Sequence, residues 1–277
     1  VTISFVANGG SGTMQSLSVE KGKTVALSNV TFTRSGYTFK SWNTSYDGSG
    51  FTYINKQTLT PNVSLTLYAQ WEKTTGTAIG HEWVDLGLPS GTKWATTNVG
   101  ASTPEGYGNY YAWGETSTKS SYTWSNYKWC RGTSNTLTKY GYLDNFNGTL
   151  VDYGVADNKK VLELSDDAAR VSWGGPWRMP TVEQLEELGN SSYCIWTKTT
   201  LNGVDGYVIT SKVNGNSIFL PAAGSKGDDL VGLTSDNCYY WSCNIASNYP
   251  YRALVYSGRR TYSPERFMGA SIRPVLP

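Results

Sequence analysis

Aromatic and β-branched residues in this chain fall into short alternating runs separated by Gly-, Asn- and Ser-rich turns, which limits the possible folds. Val1, Ile3 and Phe5 alternate with polar residues, and residues 65–71 alternate in the same way. A period of two predicts half-buried strands, because successive side chains of a strand point to opposite faces. The clearest amphipathic helix pattern covers residues 180–189. We therefore predict an α+β fold that is mainly β.

Composition excludes several classes of protein. Charged residues are 16% of the chain and the net charge is +2, so we predict no nucleic-acid partner and no anionic membrane surface. Aromatic residues reach 14%, which is not a disordered composition. No apolar run is long enough for a transmembrane helix. The chain starts in a strand pattern without a signal peptide, lipidation motif or Met, so we expect a fragment of a longer protein.

The sequence predicts two domains. Residues 1–72 form the first domain, residues 73–79 are small and polar and read as a linker, and residues 80–277 form the larger domain. A domain as small as the first has a thin core. We expect this core to rest on Phe5, Tyr37, Phe39, Leu67 and Trp71.

Four motifs are spread over residues 1–72: ANGGSGTM, GYTFKSWNT, DGSG and LTLYAQW. Together they resemble the Listeria–Bacteroides repeat, also known as the internalin B repeat. The resemblance implies a compact β-grasp (ubiquitin-like) domain of a kind usually strung in tandem on bacterial surface proteins. We interpret the domain as a stalk or spacer.

The larger domain is predicted to contain two helices among many strands. Thr181 can cap the helix at 180–189 and Gly189 can close it, while Asp166 and Asp167 suit the start of a shorter helix. A Pro-Ser-Gly turn at 89–91 predicts a hairpin. Further strands are predicted at 206–210, 217–220, 239–242, 252–256 and 270–275.

The motifs EWVDLGLPSGTKWATTNVGA, YYAWGET, DDAARVSWGGPWRMPTVEQLEEL and GASIRPV run through residues 81–277. They resemble the Fibrobacter succinogenes major paralogous domain of Bacteroidetes surface proteins and lipoproteins. WRMPT, YYWS and SIRPV are also similar to the C-type-lectin-like and formylglycine-generating-enzyme superfold. This implies two helices, a curled antiparallel sheet and termini that meet. It also implies an extracellular address on the bacterial cell surface, with outer-membrane anchoring of the full-length protein.

Residues with catalytic chemistry are sparse, and we predict no enzyme activity. His81 is the only histidine, which argues against a His-dependent triad or metal cluster, and we interpret it as an exposed boundary residue. Arg178, Glu183 and Arg273 are interpreted as a semi-buried ion network rather than an anion site.

The cysteines and a group of acidic residues leave open an alternative function and an alternative cofactor. Cys130, Cys194, Cys238 and Cys243 allow three disulfide pairings, among them Cys130 with Cys194, or buried free thiols. A resemblance of Cys238 and Cys243 to the cysteine pair of formylglycine-generating enzymes makes a cysteine-dependent enzyme the alternative function. No cofactor is predicted; the alternative is calcium on the loop from Asp144 to Asp152, although its spacing is not that of an EF-hand.

Exposed aromatic residues near arginines are the most promising binding feature, because they stack on sugars and anchor interfaces. We interpret Trp173, Trp177 and Trp241 as core. We predict an adhesion module whose loops near 115–160 and 225–265 bind a glycan or a host or bacterial surface protein. A structural surface or fimbria-associated subunit without a ligand is the further alternative. The candidate ligand-binding residues are Tyr239, Tyr249, Tyr251, Arg259, Arg260, Trp124 and Trp129.

Overall fold

The computed structural model divides into two compact units, Val1–Thr75 and Gly76–Pro277. Its described residues are mainly β, with two short α-helices and two 3-10 turns. It describes residues 1–141, 144–146, 149–151, 154, 157–227, 230–232, 238–245, 253–257 and 260–277, with backbone alone for 144–146, 149–151, 230–232, 253–257 and 260.

The first unit is a five-stranded sheet of order β2-β1-β7-β4-β5 with a separate β3–β6 pair. β1 and β7 run parallel at the centre, and the other neighbours are antiparallel. Every residue of this unit is described and none is helical. The strands are β1 Thr2–Val6, β2 Leu17–Ser18, β3 Val25–Ala26, β4 Tyr37–Asn43, β5 Thr52–Tyr53, β6 Thr58–Leu59 and β7 Leu65–Lys73.

Trp42 is the centre of the first unit's core and is 0% exposed. Its ring centroid lies 4.9 Å from that of Phe5 and 4.9 Å from that of Phe39. The predicted core residues Phe5, Phe39, Leu67 and Trp71 are confirmed as members of this cluster or as residues packed against it.

Tyr37 was predicted as core, and that prediction is wrong. Its ring lies under the guanidinium of Arg34, 3.9 Å from the ring centroid. Tyr37 is the first residue of β4 and pairs with exposed Lys73 at the end of β7. A β-bulge lies further along β4, where the register against β7 shifts between Phe39 and Ser41. A bulge breaks the alternation of faces, so Ser41 and Trp42 are both buried.

A loop after β4 is closed by its own side chains. Asn43 donates from Nδ2 to the Gly48 and Gly50 carbonyls, each at 3.0 Å, and its Oδ1 accepts from Ser45 N at 2.8 Å. Asp47 Oδ1 accepts from the Ser45 and Ser49 hydroxyls at 2.6 and 2.7 Å. These hydrogen bonds favour the ionised carboxylate and lower the pKa of Asp47 to about 2.

We expect the first unit to lose stability in acid through Asp47. A carboxylate whose folded pKa is lowered contributes stability above its usual pKa of 3.8, and that contribution disappears as the pH falls through about 2. An NMR titration of the carboxyl carbon should give a midpoint near 2, moving toward 3.8 in a Ser45→Ala/Ser49→Ala variant. A midpoint that is the same in both proteins would contradict this assignment.

The second unit has four sheets of three or four strands and one separate pair among its described residues. The sheet orders are β22-β10-β9-β8, β13-β14-β15, β17-β16-β21 and β18-β19-β20, with β11 pairing β12. The strands are β8 Thr75–Ala78, β9 His81–Asp85, β10 Lys93–Ala95, β11 Asp144–Phe146, β12 Thr149–Val151, β13 Cys194–Leu201, β14 Val204–Ser211, β15 Ser217–Pro221, β16 Ser225–Gly227, β17 Leu230–Gly232, β18 Tyr240–Ile245, β19 Ala253–Ser257, β20 Arg260–Tyr262, β21 Gly269–Ala270 and β22 Val275–Leu276.

Both predicted helices are confirmed, as α1 Ala168–Trp173 and α2 Val182–Gly189. Asp167 caps α1 by accepting from Arg170 N, and Thr181 caps α2 by accepting from Gln184 N. The hairpin predicted around residues 89–91 is confirmed as the antiparallel pair β9–β10.

Residues 73–79, predicted as a linker, contain the last residue of β7 and the whole of β8, which joins the β9 sheet. One prediction about segment type is wrong. The single strand predicted at 270–275 is split into β21 and β22, because its backbone changes partner from β16 to β10.

Among the described residues, three clusters of buried side chains form the core of the second unit. Trp173, Trp177 and Trp241 are buried in the largest cluster, which confirms their assignment as core. A second packs α2 and the β14 sheet together through residues such as Leu185, Leu188 and Ile209. The third is aromatic and includes Tyr110, Tyr122 and Tyr127. The 3-10 turn η1 (Trp124–Asn126) packs against this third cluster through Trp124, and the turn after Trp129 carries the candidate site.

Candidate functional site

The structure places three of the seven predicted ligand-binding residues. Trp124 and Trp129 are half-buried and pack against the same aromatic cluster, while Tyr239 is half-buried beside Tyr262, with ring centroids 6.5 Å apart. The contact of all three with a ligand stays a prediction. Tyr249, Tyr251, Arg259 and the side chain of Arg260 lie outside the described residues.

Both tryptophans are engaged in packing. Trp124 lies edge-on to Tyr127 and Phe267, at centroid distances of 5.5 and 5.2 Å. Trp129 donates from Nε1 to the Gly114 carbonyl at 2.7 Å, and Lys128 Nζ lies 4.3 Å from its ring centroid. The lysine takes space on the ring, so stacking of a sugar on Trp129 would require the lysine to move.

A tight turn directly after Trp129 builds a cleft. Arg131 N donates to the Thr136 carbonyl at 2.9 Å, and Thr138 N donates to the Trp129 carbonyl at 2.9 Å. The turn is closed by Thr136 Oγ1, which donates to the Thr133 carbonyl at 2.9 Å. The cleft has a volume of about 400 Å³, and we call it the Arg131 cleft. It is lined by Arg131, Asn135, Thr136, Leu137, Thr138 and Gly154.

Gly154 forms one wall of the Arg131 cleft against the backbone of Leu137. A Cβ at this position would lie 2.3 Å from the Leu137 carbonyl oxygen, and the backbone φ is +108°. Both facts require glycine here, because an L side chain would clash and would also strain the backbone.

The chemistry of the Arg131 cleft is that of polar recognition. Arg131, Asn135 and Thr138 are exposed and offer a guanidinium, an amide and a hydroxyl. Sequence reasoning expected contacts from the 115–160 loop but missed these residues. Polar residues in a turn look the same whether or not a cleft lies between them, so no sequence signal was available.

Arg178, Glu183 and Arg273 do not form the predicted ion network. Arg273 is fully buried and donates to Asn98 Oδ1 at 2.8 Å and to the Phe219 carbonyl at 2.9 Å. Arg178 donates to the Met179 carbonyl and to Gln184 Oε1, while Glu183 is exposed. The acceptors of both arginines are backbone and side-chain amide oxygens and not carboxylates. The arginines therefore hold segments of the chain together through hydrogen bonds to uncharged groups.

His81 is not the exposed boundary residue that was predicted. It is half-buried, and its ring stacks on Trp173 with centroids 3.6 Å apart and planes 4° apart. Burial lowers the pKa of His81, so the ring is neutral over a wider pH range than usual.

The four cysteines are free thiols, so the disulfide between Cys130 and Cys194 is not formed. Burial raises the pKa of Cys194 to about 11 and those of Cys238 and Cys243 to about 12. A reactive thiol needs a lowered pKa and an open approach. These three thiols have neither.

Thiol labelling of the native protein should therefore be slow at three positions. We expect half-buried Cys130 to react first with a maleimide and the three buried cysteines to react only after denaturation. Peptide mapping after a short pulse at neutral pH measures the order. Rapid native labelling of Cys238 or Cys243 would contradict the burial of these thiols and favour the enzyme alternative.

The described parts of the chain contain no group of three or more metal-ligating side chains. The calcium loop predicted from Asp144 to Asp152 lies outside the described side chains. No helix in the described ranges has both the length and the apolar character to cross a membrane.

Comparison with known proteins identifies one part of the chain. Residues 2–70 match the family described as the Listeria-Bacteroides repeat domain, which confirms the resemblance of the first unit. This repeat is a bacterial surface-associated domain. No curated protein and no solved structure matches the chain. The resemblance of residues 80–277 to the Fibrobacter paralogous domain stays a prediction.

Proposed function

We propose that the chain is a bacterial cell-surface adhesion module whose second unit binds a glycan at the Arg131 cleft. The observation that carries this is the grouping of Arg131, Asn135 and Thr138 on one hydrogen-bonded turn. A guanidinium forms bidentate hydrogen bonds with a carboxylate, and amides and hydroxyls form hydrogen bonds with sugar hydroxyls. An acidic sugar is therefore the best match.

The strand pairing in both units supports the domain types that we propose for this surface module. In the second unit, β22 pairs with β10, which brings the final strand beside one of the first, as expected of a C-type-lectin-like domain. In the first unit, the central parallel pair of β1 and β7 supports a β-grasp-like arrangement. We propose that the first unit is a stalk, and that the full-length protein is anchored to the outer membrane without a cofactor.

A glycan array probed with the full chain tests the proposed function, with Lys21→Ala as the control because it removes a lysine in the first unit. Binding to acidic glycans should weaken about 10- to 100-fold in Arg131→Ala, because a hydrogen bond to a charged group contributes about 1.5–3 kcal/mol. Equal binding by Arg131→Ala and the wild type would reject the cleft. Loss of binding in Tyr249→Ala/Tyr251→Ala alone would place the site on those tyrosines.

Two other outcomes of the array separate the alternatives. Binding that needs calcium and is lost with a chelator would favour the loop from Asp144 to Asp152. An array without any binding, together with concentration-dependent sedimentation of the full chain, would favour a structural subunit. The exposed apolar side chains of Tyr46, Phe51 and Ile54 would be the first surface to examine in that case.

A further inference from the structure

A lysine amine lies against two carboxylates below the Trp129 ring. Lys139 Nζ is 2.5 Å from Asp166 Oδ2 and also contacts Glu163 Oε2. Asp166 is only 4% exposed. The Trp129 and Tyr140 ring centroids each lie 4.9 Å from the same nitrogen. The Asp166 carboxyl group is therefore buried, and the amine that contacts it lies against two aromatic rings.

Tyr140 holds the Asp166 carboxyl group in place. Its hydroxyl donates to Asp166 Oδ2 at 2.5 Å and accepts from Glu163 N at 3.0 Å. Asp166 and Glu163 both lie at the short 3-10 turn η2, which runs from Leu164 to Asp166 with Glu163 as its cap. The turn and the tyrosine hold the carboxyl group of Asp166 beside the Lys139 amine.

We propose that Lys139 and Asp166 form an intramolecular amide bond, with Glu163 as the group that transfers protons. Nothing in the proposed glycan-binding function requires this bond. It would be a covalent modification made by the folded protein itself from its own side chains, with water as the sole by-product.

The reaction balances without an external reagent. The Lys139 ammonium first passes a proton to the Asp166 carboxylate, which gives a neutral amine and a carboxylic acid. The Nζ lone pair then attacks the carboxyl carbon, and the Tyr140 hydroxyl stabilises the negative charge that develops on oxygen. Glu163 takes the second proton from Nζ and delivers it to the departing hydroxyl, which leaves as water, while the amide C–N bond remains.

The charges around the amine set the barrier to the reaction. Burial lowers the pKa of Lys139, whereas the hydrogen bonds that its ammonium donates to Asp166 and Glu163 raise it, and the net direction is upward. The first proton transfer is therefore uphill, and burial reduces its cost because a low dielectric disfavours separated charges. The hydrogen bonds from Lys139 and from Lys159, whose Nζ lies 2.5 Å from Glu163 Oε1, lower the pKa of Glu163 and so keep this carboxylate ionised at the start. Lys128 Nζ lies 4.0 Å from Asp166 Oδ1.

Intact-mass spectrometry of the purified full chain tests the proposal. We expect a mass lower than the sequence mass by one water molecule, and a branched tryptic peptide that joins the segments of Lys139 and Asp166. Lys139→Arg keeps the positive charge but cannot form this amide, so it should have its full sequence mass. Lys159→Arg is the matched control, because it changes the other lysine on Glu163 and should still lose water.

The variant Glu163→Gln separates catalysis from proximity. It keeps the shape of the side chain, and we expect the loss of water to slow at least tenfold when followed over time after refolding. A wild-type protein that is folded by circular dichroism and retains its full sequence mass after days of incubation would overturn the proposal, leaving a salt bridge. Loss of water in Lys139→Arg would equally overturn it.

Discussion

Replacing Arg273 with alanine is expected to lower the free energy of unfolding of the second unit by about 3–5 kcal/mol. The guanidinium is 0% exposed and donates to Asn98 Oδ1 and to the carbonyls of Ala95, Thr96 and Phe219, at 2.8 to 3.1 Å. Alanine would leave these buried acceptors without their donor and would open a cavity where the side chain had been.

Hydrogen exchange measured by mass spectrometry can follow this loss in each unit separately. Peptides from β14 and β15 should lose protection in Arg273→Ala, while those from β1 and β7 should not. Arg131→Ala removes an exposed arginine and should stay within about 0.5 kcal/mol of the wild type. Unchanged protection of β14 in Arg273→Ala would show that the backbone acceptors find other donors.

Replacing Trp42 with alanine is expected to lower the free energy of unfolding of the first unit by about 3–5 kcal/mol. The ring is 0% exposed and contacts the rings of Phe5, Phe32 and Phe39 at centroid distances of 4.9, 6.0 and 4.9 Å. A unit of this size buries little surface, so one large side chain is a large fraction of its stability.

Phe51→Ala is the matched control, because it also removes a large aromatic ring from the first unit. Phe51 is 79% exposed, so this change should be within about 0.5 kcal/mol of the wild type. Exchange of the β1 and β7 amides reports both variants. Similar effects of the two substitutions would mean that the first unit does not depend on a single buried ring.

The predictions that held rest on local signals. Thr181 was expected to cap α2 from sequence, and it does, because a cap needs only the residues of its own first turn. The buried tryptophans of the second unit were also predicted correctly, because large apolar rings are mostly removed from water in folded proteins.

The predictions that failed depend on partners distant in sequence. The bulge in β4 is visible only once β7 lies beside it, and so is the position of Tyr37 opposite the exposed Lys73. Arg273 was expected to pair with a carboxylate, yet its partners are the Asn98 side-chain oxygen and backbone carbonyls up to 178 residues away. The Arg131 cleft needs Gly154 beside Leu137, and no local pattern indicates that contact.

The pairing of β22 with β10 also determines when the second unit can fold. Trp94 in β10 pairs with Val275, so this sheet is incomplete until the ribosome has synthesised the chain as far as β22. Contacts between residues so far apart in sequence form slowly, because a long loop must close before they stabilise anything. The second unit is therefore expected to complete its fold only after its whole chain has been synthesised.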